Sequence, residues 1–163
     1  MQKTTFSENP EQKTLTVERT FEAPVERVWA AWTEPELLEQ WWAPAPWRAH
    51  TKSFDFSEGG HWHYFMESPD GERHWSWVDY RTIEPRQAFA AADAFCDEEG
   101  VRNTEMPGTE WDNRFEGSDG RTTVRVTLTF LSVDDMKNLI EMGFKEGFTM
   151  GLDQLEKLLA NSD

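Results

Sequence analysis

Polar and apolar residues alternate from Thr14 to Phe21, where Leu15, Val17 and Phe21 interleave with Thr16, Glu18 and Thr20. That is the period of a half-buried strand. The period then changes. Pro24 suits a first helical turn, and Val25, Val28, Trp29 and Trp32 follow at the i, i+3, i+4, i+7 spacing of one apolar helix face. Thr33 and Glu36 match a capping box, which predicts a second short helix over about 34–42, ended by Pro44 and Pro46. Alternation returns over 47–56, 60–66, 73–83 and 87–95. The separators Glu58-Gly59-Gly60, Ser68-Pro69-Asp70-Gly71 and Glu84-Pro85-Arg86 carry the residues that reverse a chain. Such short connections imply antiparallel neighbours. Residues 97–108 read as a loop, and a last hairpin pairs 109–115 with 122–131 across Gly117-Ser118-Asp119-Gly120. In its second arm Val124, Val126, Leu128 and Phe130 share one face.

From Ser132 the period is helical and predicts one long helix over 133–160, capped by Ser132 with Asp135. Met136, Ile140, Phe144, Phe148, Leu152, Leu155 and Leu159 form its apolar face, and Gly143, Gly147 and Gly151 sit on the same face. Each glycine costs a helix about 0.5–1 kcal/mol relative to alanine. The space above them is therefore expected to be used, either by close approach of the sheet or, the preferred reading, by a cavity. Residues 1–13 read as a loose polar arm and 14–163 as one domain. A long sheet with one apolar face needs a cover, and only the final helix is long enough. The expected class is α+β: a seven-stranded antiparallel curved sheet wrapped on a long C-terminal helix, with two short helices after the first strand.

Charge narrows the partners. The chain carries 31 acidic and 16 basic side chains, a formal net charge of −15. Such a surface repels phosphate backbones and anionic lipid head groups, so neither nucleic acid nor membrane is an expected partner. The lone Cys96 forms no internal disulfide, the first 13 residues lack the apolar run of a signal peptide, and no stretch approaches the roughly 20 apolar residues of a membrane span. A cytoplasmic location is the expectation. Hydrophobic residues make up only 37%, yet there are 9 Trp and 11 Phe. Large rings each bury about 150–250 Å², so they build either a solid core or the wall of a cavity.

The segments VERTFEAPVERVWAAWTEPELLEQWW (17–42), FDFSEGGHWHYFM (54–66), YRTIEPRQAF (80–89), DAFCDEEG (93–100) and EMGFKEGFTMGLDQLEKLL (141–159) together resemble the AHSA1-like family, the activator-of-Hsp90-ATPase homologues. That family lies within the START-like, or Bet v 1-like (SRPBCC), superfamily. The resemblance covers residues 15–160 and implies a helix-grip fold with a cavity between sheet and long helix. It also implies, as an alternative, a protein-interaction role of the Hsp90 co-chaperone type. The namesake co-chaperone carries this domain behind a separate N-terminal one, for which 163 residues leave no room.

Candidate chemistry is sparse. His61 and His63 fall on one strand face, a metal-pair spacing, with His74 on the next strand. No further ligand stands at a diagnostic spacing, so solvated histidines are the expectation, with no metal and no cofactor. Asp93, Glu105, Asp112 and Tyr80 are titratable candidates without a catalytic spacing, which leaves a cyclase- or hydrolase-like activity as the weakest reading. Acidic neighbours of Cys96 oppose a reactive thiolate. Trp62, Tyr64 and Met66 share one strand face. A two-residue Pro69-Asp70 turn would pair Tyr64 with Trp75 and Trp62 with Trp77, whereas a three-residue loop with Gly71 left-handed would pair Phe65 with Trp75. The candidate lining of an apolar small-molecule cavity is Trp62, Tyr64, Trp75, Trp77, Phe89, Trp111, Phe144, Gly147, Phe148 and Leu152.

Overall fold

The computed structural model describes residues 4–103 and 108–161. Eight strands form one antiparallel sheet. In chain order they are β1 (Thr5–Asn9), β2 (Thr14–Phe21), β3 (Arg48–Asp55), β4 (His61–Glu67), β5 (Arg73–Glu84), β6 (Ala88–Phe95), β7 (Thr109–Ser118) and β8 (Arg121–Thr129). The spatial order is β1-β2-β8-β7-β6-β5-β4-β3, so only the β2–β3 connection crosses the sheet. That connection carries two helices, α1 (Val25–Thr33) and α2 (Pro35–Trp41). After β8 come α3 (Val133–Glu141) and α4 (Phe144–Asn161). The α+β class, the curved sheet and its C-terminal helical cover are those expected from sequence.

The differences have local causes. The polar arm contains a strand: Thr5 to Asn9 pair in register with Glu18 to Thr14. As an edge strand it buries little, and only Phe6, packed on the core under Lys145, marks an inward position. Alternation was therefore too faint to see, and the sheet has eight strands rather than seven. The capping box at Thr33 and Glu36 does not form. Thr33 Oγ1 donates to the Trp29 carbonyl at 2.8 Å, and Glu34 takes the N-cap position instead, with α2 starting at Pro35. The β7–β8 hairpin is tighter than expected, since Ser118 pairs with Arg121. Asp119 and Gly120 both take positive φ (53° and 78°), the left-handed pair that a two-residue turn requires.

The single C-terminal helix is two. Ser132 Oγ accepts the Asp135 amide at 3.1 Å, as a cap should, but α3 ends at Glu141. Gly143 follows with φ of +95°, a conformation that stops a helix and starts a new one here. Its place on the apolar stripe hid that role. Gly151 does different work. A Cβ there would stand 3.2 Å from the Trp41 carbonyl oxygen at the C-terminal end of α2, so the two helices meet backbone to backbone. Gln154, one turn on, donates from Nε2 to the Trp41 and Ala43 carbonyls (3.0 and 2.9 Å) and accepts the Ala45 amide at 2.9 Å. The close approach is thus to α2, not to the sheet. At Gly147 a Cβ would meet only Pro44 Cγ at 3.8 Å, an ordinary contact.

The core fills the concave side, between the inward residues of β2, β7 and β8 and the face of α4 formed by Leu152, Leu155 and Leu159. Arg19, buried on β2, reaches α4 through Asp153 (2.6 Å) and Glu156 (2.9 Å). The three glycines therefore predict three outcomes in thermal melts. Gly147→Ala gains helix propensity and stabilises by about 0.5–1 kcal/mol. Gly143→Ala loses about 1–2 kcal/mol by forcing a left-handed alanine. Gly151→Leu overpacks the α2 contact at a cost of about 1–3 kcal/mol.

Candidate functional site

Alternation along β4 to β7 points Trp62, Tyr64 and Met66, then Ser76 and Val78, then Phe89, Ala91 and Asp93, then Trp111 and Asn113 toward the helices. Between this concave face and α4 lies a pocket of about 300 Å³. Its wall is aromatic: Trp42, Tyr64 and Trp111 on one side, Phe144 and Phe148 on the other, with Gly147 and Pro44 leaving space between. Phe144 and Phe148 stack 5.3 Å apart, and Trp111 meets Phe148 edge-on at 5.8 Å. A second, inner chamber of about 40 Å³ lies among Trp32, Leu38, Trp62, Tyr80, Phe89 and Asn113. Trp42, Tyr64, Asp93 and Trp111 border both spaces.

Polar groups in this setting are few and mostly held. Trp42 Nε1 donates to the Tyr64 hydroxyl at 2.9 Å. Asp93 accepts the Trp111 indole N–H at 2.8 Å and the Thr109 amide at 2.9 Å. Burial pushes its carboxyl up to about 6; the two donors oppose this and Glu110 adds to it. Burial likewise raises the Tyr64 and Tyr80 phenols well above their ordinary value, so both stay neutral. Trp32 and Asn113 line the inner chamber, and Trp32 Nε1 and Asn113 Oδ1 have no hydrogen-bond partner among the described residues. His74 stands at the pocket's edge, hydrogen-bonded to Glu72.

Of the ten residues expected to line a cavity, seven border these spaces: Trp62, Tyr64, Phe89, Trp111, Phe144, Gly147 and Phe148. Leu152 is buried below them in the core. Trp75 and Trp77 are elsewhere. The β4–β5 loop is the three-residue form, with the Ser68 amide on the Glu72 carbonyl and Gly71 at φ +88°. Phe65 consequently pairs with Trp75 and His63 with Trp77, which turns both indoles to the opposite face of the sheet. The expectation of solvated histidines fails at His63, which is 3% exposed. It lies between Trp75 and Trp77, its Nε2–H donating to the Asp97 carbonyl at 3.1 Å, with Gly100 of the 97–103 loop packed against Trp77. His61 stacks flat on Trp77 at 4.5 Å. His74, paired with Met66, faces the other way, so the three histidines do not converge.

Among the described residues, no group of three or more His, Cys, Asp or Glu side chains is arranged to hold a metal. Asp112 lies outside the pocket against Arg114 at 3.2 Å, and Glu105 falls outside the described residues. Burial, with Asp97 beside it, pushes the Cys96 thiol up to about 11, which disfavours the thiolate. Sequence reading missed Trp32, Trp42 and Asn113. The first two come from the α1–α2 segment, whose rings looked like simple cover, and Asn113 is one polar residue on a strand whose neighbours alternate weakly.

Comparison with known proteins agrees with this fold. A protein from Arthrobacter aurescens is 32% identical, covering 97% of this chain and 92% of its own, with a TM-score of 0.90. One from Mycobacterium smegmatis is 29% identical over 99% of both chains at a TM-score of 0.89. One from Staphylococcus epidermidis is 31% identical, covering 96% of this chain and 93% of its own, at 0.85. A search of curated proteins returns no match. The family described as "Activator of Hsp90 ATPase homolog 1-like protein" matches residues 22–160, and the chain belongs to that family.

Proposed function

We propose that the chain is a binding module for a small, largely apolar molecule held between the sheet and α4. The observation that carries this reading is the aromatic pocket of about 300 Å³, kept open beside Gly147 where a larger side chain would close it. Ligand sites are concave, mostly apolar and carry few polar groups; this volume lies at the lower end of the usual range of about 300–1,000 Å³. A small occupant is the fit. Mass spectrometry of an organic extract of the purified protein tests the reading directly, with recovery of a stoichiometric compound as the expected result.

A protein-interaction role of the co-chaperone type is the alternative that the family description favours. Stimulation of Hsp90 ATPase by the chain, undiminished when the pocket is filled by Gly147→Leu, would support that reading instead. The net charge of −15 argues against nucleic acid or anionic vesicles as partners.

Two outcomes follow from the pocket. Gly147→Leu puts a side chain into it, so intrinsic tryptophan fluorescence should report at least tenfold weaker binding of an apolar probe, with little change in melting temperature. The second concerns pH. A neutral occupant strips further water from Asp93, which favours its protonated form, so affinity should rise as pH falls through about 6. Tyr64, His74 and Glu110 are the other titratable groups facing it, and a His74→Gln control separates the edge of the pocket from its interior. Stability follows the same sign. With its folded value raised, Asp93 contributes stability below about 4 that is lost as pH rises through about 6. Asp93→Asn should flatten that part of the stability profile, measured by melts between pH 4 and 7.5.

A further inference from the structure

Resting on the pocket reading above, we propose that the occupant is an uncharged amphiphile whose hydroxyl group seats in the inner chamber, between Trp32 and Asn113. Five other indoles bond through their N–H: Trp41 to the Ala31 carbonyl, Trp42 to Tyr64, Trp62 to Thr51, Trp77 to Asp79 and Trp111 to Asp93. Trp32 is buried to 2% exposure and its N–H has no partner among the described residues. Asn113, equally buried, bonds the Phe89 carbonyl through Nδ2 at 3.4 Å, while its Oδ1 has none. Leaving either atom bare is costly, because a buried polar group without a bond has lost its water for nothing. Both residues line the same chamber of about 40 Å³, and that chamber shares Trp42, Tyr64, Asp93 and Trp111 with the outer pocket.

One bare donor and one bare acceptor define the head group. A hydroxyl donates to Asn113 Oδ1 and accepts from Trp32 Nε1, and it is among the smallest groups that do both. An ammonium has no acceptor for the indole. A carboxylate has no donor for the amide oxygen and would face Asp93 in a chain of net charge −15. A methyl leaves both atoms bare. The outer pocket, walled by Phe144, Phe148 and Trp111, takes the apolar body.

Three near-isosteric probes decide the matter at pH 7: 4-tert-butylbenzyl alcohol, 1-ethyl-4-tert-butylbenzene and 4-tert-butylbenzylammonium, each titrated against tryptophan fluorescence. A pocket without partners for a hydroxyl discriminates against the alcohol by about a thousandfold relative to the hydrocarbon. The expected result is an alcohol bound at least as tightly as the hydrocarbon and more tightly than the ammonium. In Trp32→Phe the alcohol should weaken about tenfold while the hydrocarbon changes less than about threefold, and Asn113→Leu should behave alike. If those variants fail to fold, the three probes on the parent protein decide alone. A hydrocarbon that outbinds the alcohol overturns the hydroxyl site and leaves the pocket reading standing, as would a chamber that serves only to hold water. Tightest binding of the ammonium also overturns it, with Asp93 as the anchor instead. Binding of none of the three overturns both readings together.

Discussion

The backbone contact between α4 and the C-terminal end of α2 sets the position of α4 above the sheet, and with it the division between core and pocket. Helix α2 ends with carbonyls that have no partner within the helix. Gln154 supplies donors to two carbonyls there, at Trp41 and Ala43, and Gly151 lets the helices come close enough for it to do so. Once α4 is held at that point, its two halves do different things. Toward the C-terminus Leu152, Leu155 and Leu159 close on the sheet, and Arg19 ties the same stretch down through Asp153 and Glu156. Toward the N-terminus the residues on the same face are Phe144, Gly147 and Phe148, which form a wall and a gap rather than a seal. Pocket and core are two ends of one helix, separated by a single glycine contact.

Around the pocket, rings rather than aliphatic chains fill most of the interior, and this explains why space is left over there. Trp29, Phe56, Phe89 and Phe115 meet mainly edge to face at 5.1–6.0 Å, the preferred arrangement of quadrupolar rings. Rigid plates in such contacts cannot flow into residual voids as leucine or methionine can. Each indole also brings an N–H that must find a partner in a region with little backbone to offer. Trp41 takes a carbonyl, Trp42 a phenol and Trp111 a carboxylate. Trp32 Nε1 is left without a partner among the described residues, and Trp32 lines the inner chamber.

Most of the fold was legible because periodicity reports burial directly. Strands β2 to β8, α1, α2 and the helical cover all bury one face, so their apolar residues recur at the period of the element. What escaped was decided by something periodicity does not encode. Thr5–Asn9 is an edge strand that buries almost nothing, so it carries no pattern. Gly143 lies on the same face as Gly147 and Gly151, and only its backbone angle separates a helix end from a helix interior. Trp75 and Trp77 depended on one residue more or less in the β4–β5 loop, since a slip of one reverses every side chain on a strand. The burial of His63 has no signature in the pattern, because the face it occupies is covered by the 97–103 loop, a segment with no period of its own. The site was legible to the same extent: strand residues on the inward face were found, while the rings delivered by α1 and α2 were not.

The break in the C-terminal helix and the outer pocket occupy the same place, and the coincidence has a physical basis. Leu139 borders the pocket from α3, and Phe144 borders it from the first turn of α4, with Met142 and Gly143 between. An uninterrupted helix would set these two residues, five positions apart, about 140° from each other around one straight axis, and so could not turn both toward the same pocket. The left-handed glycine instead changes the chain's direction there, so α3 and α4 approach the sheet independently. Helix α3 follows β8 and is pinned by Met136, fully buried in the core. Helix α4 is pinned by its contact with α2. Each takes the position that its own anchor dictates, and the space they fail to share, floored by Tyr64, Asp93 and Trp111, is the pocket.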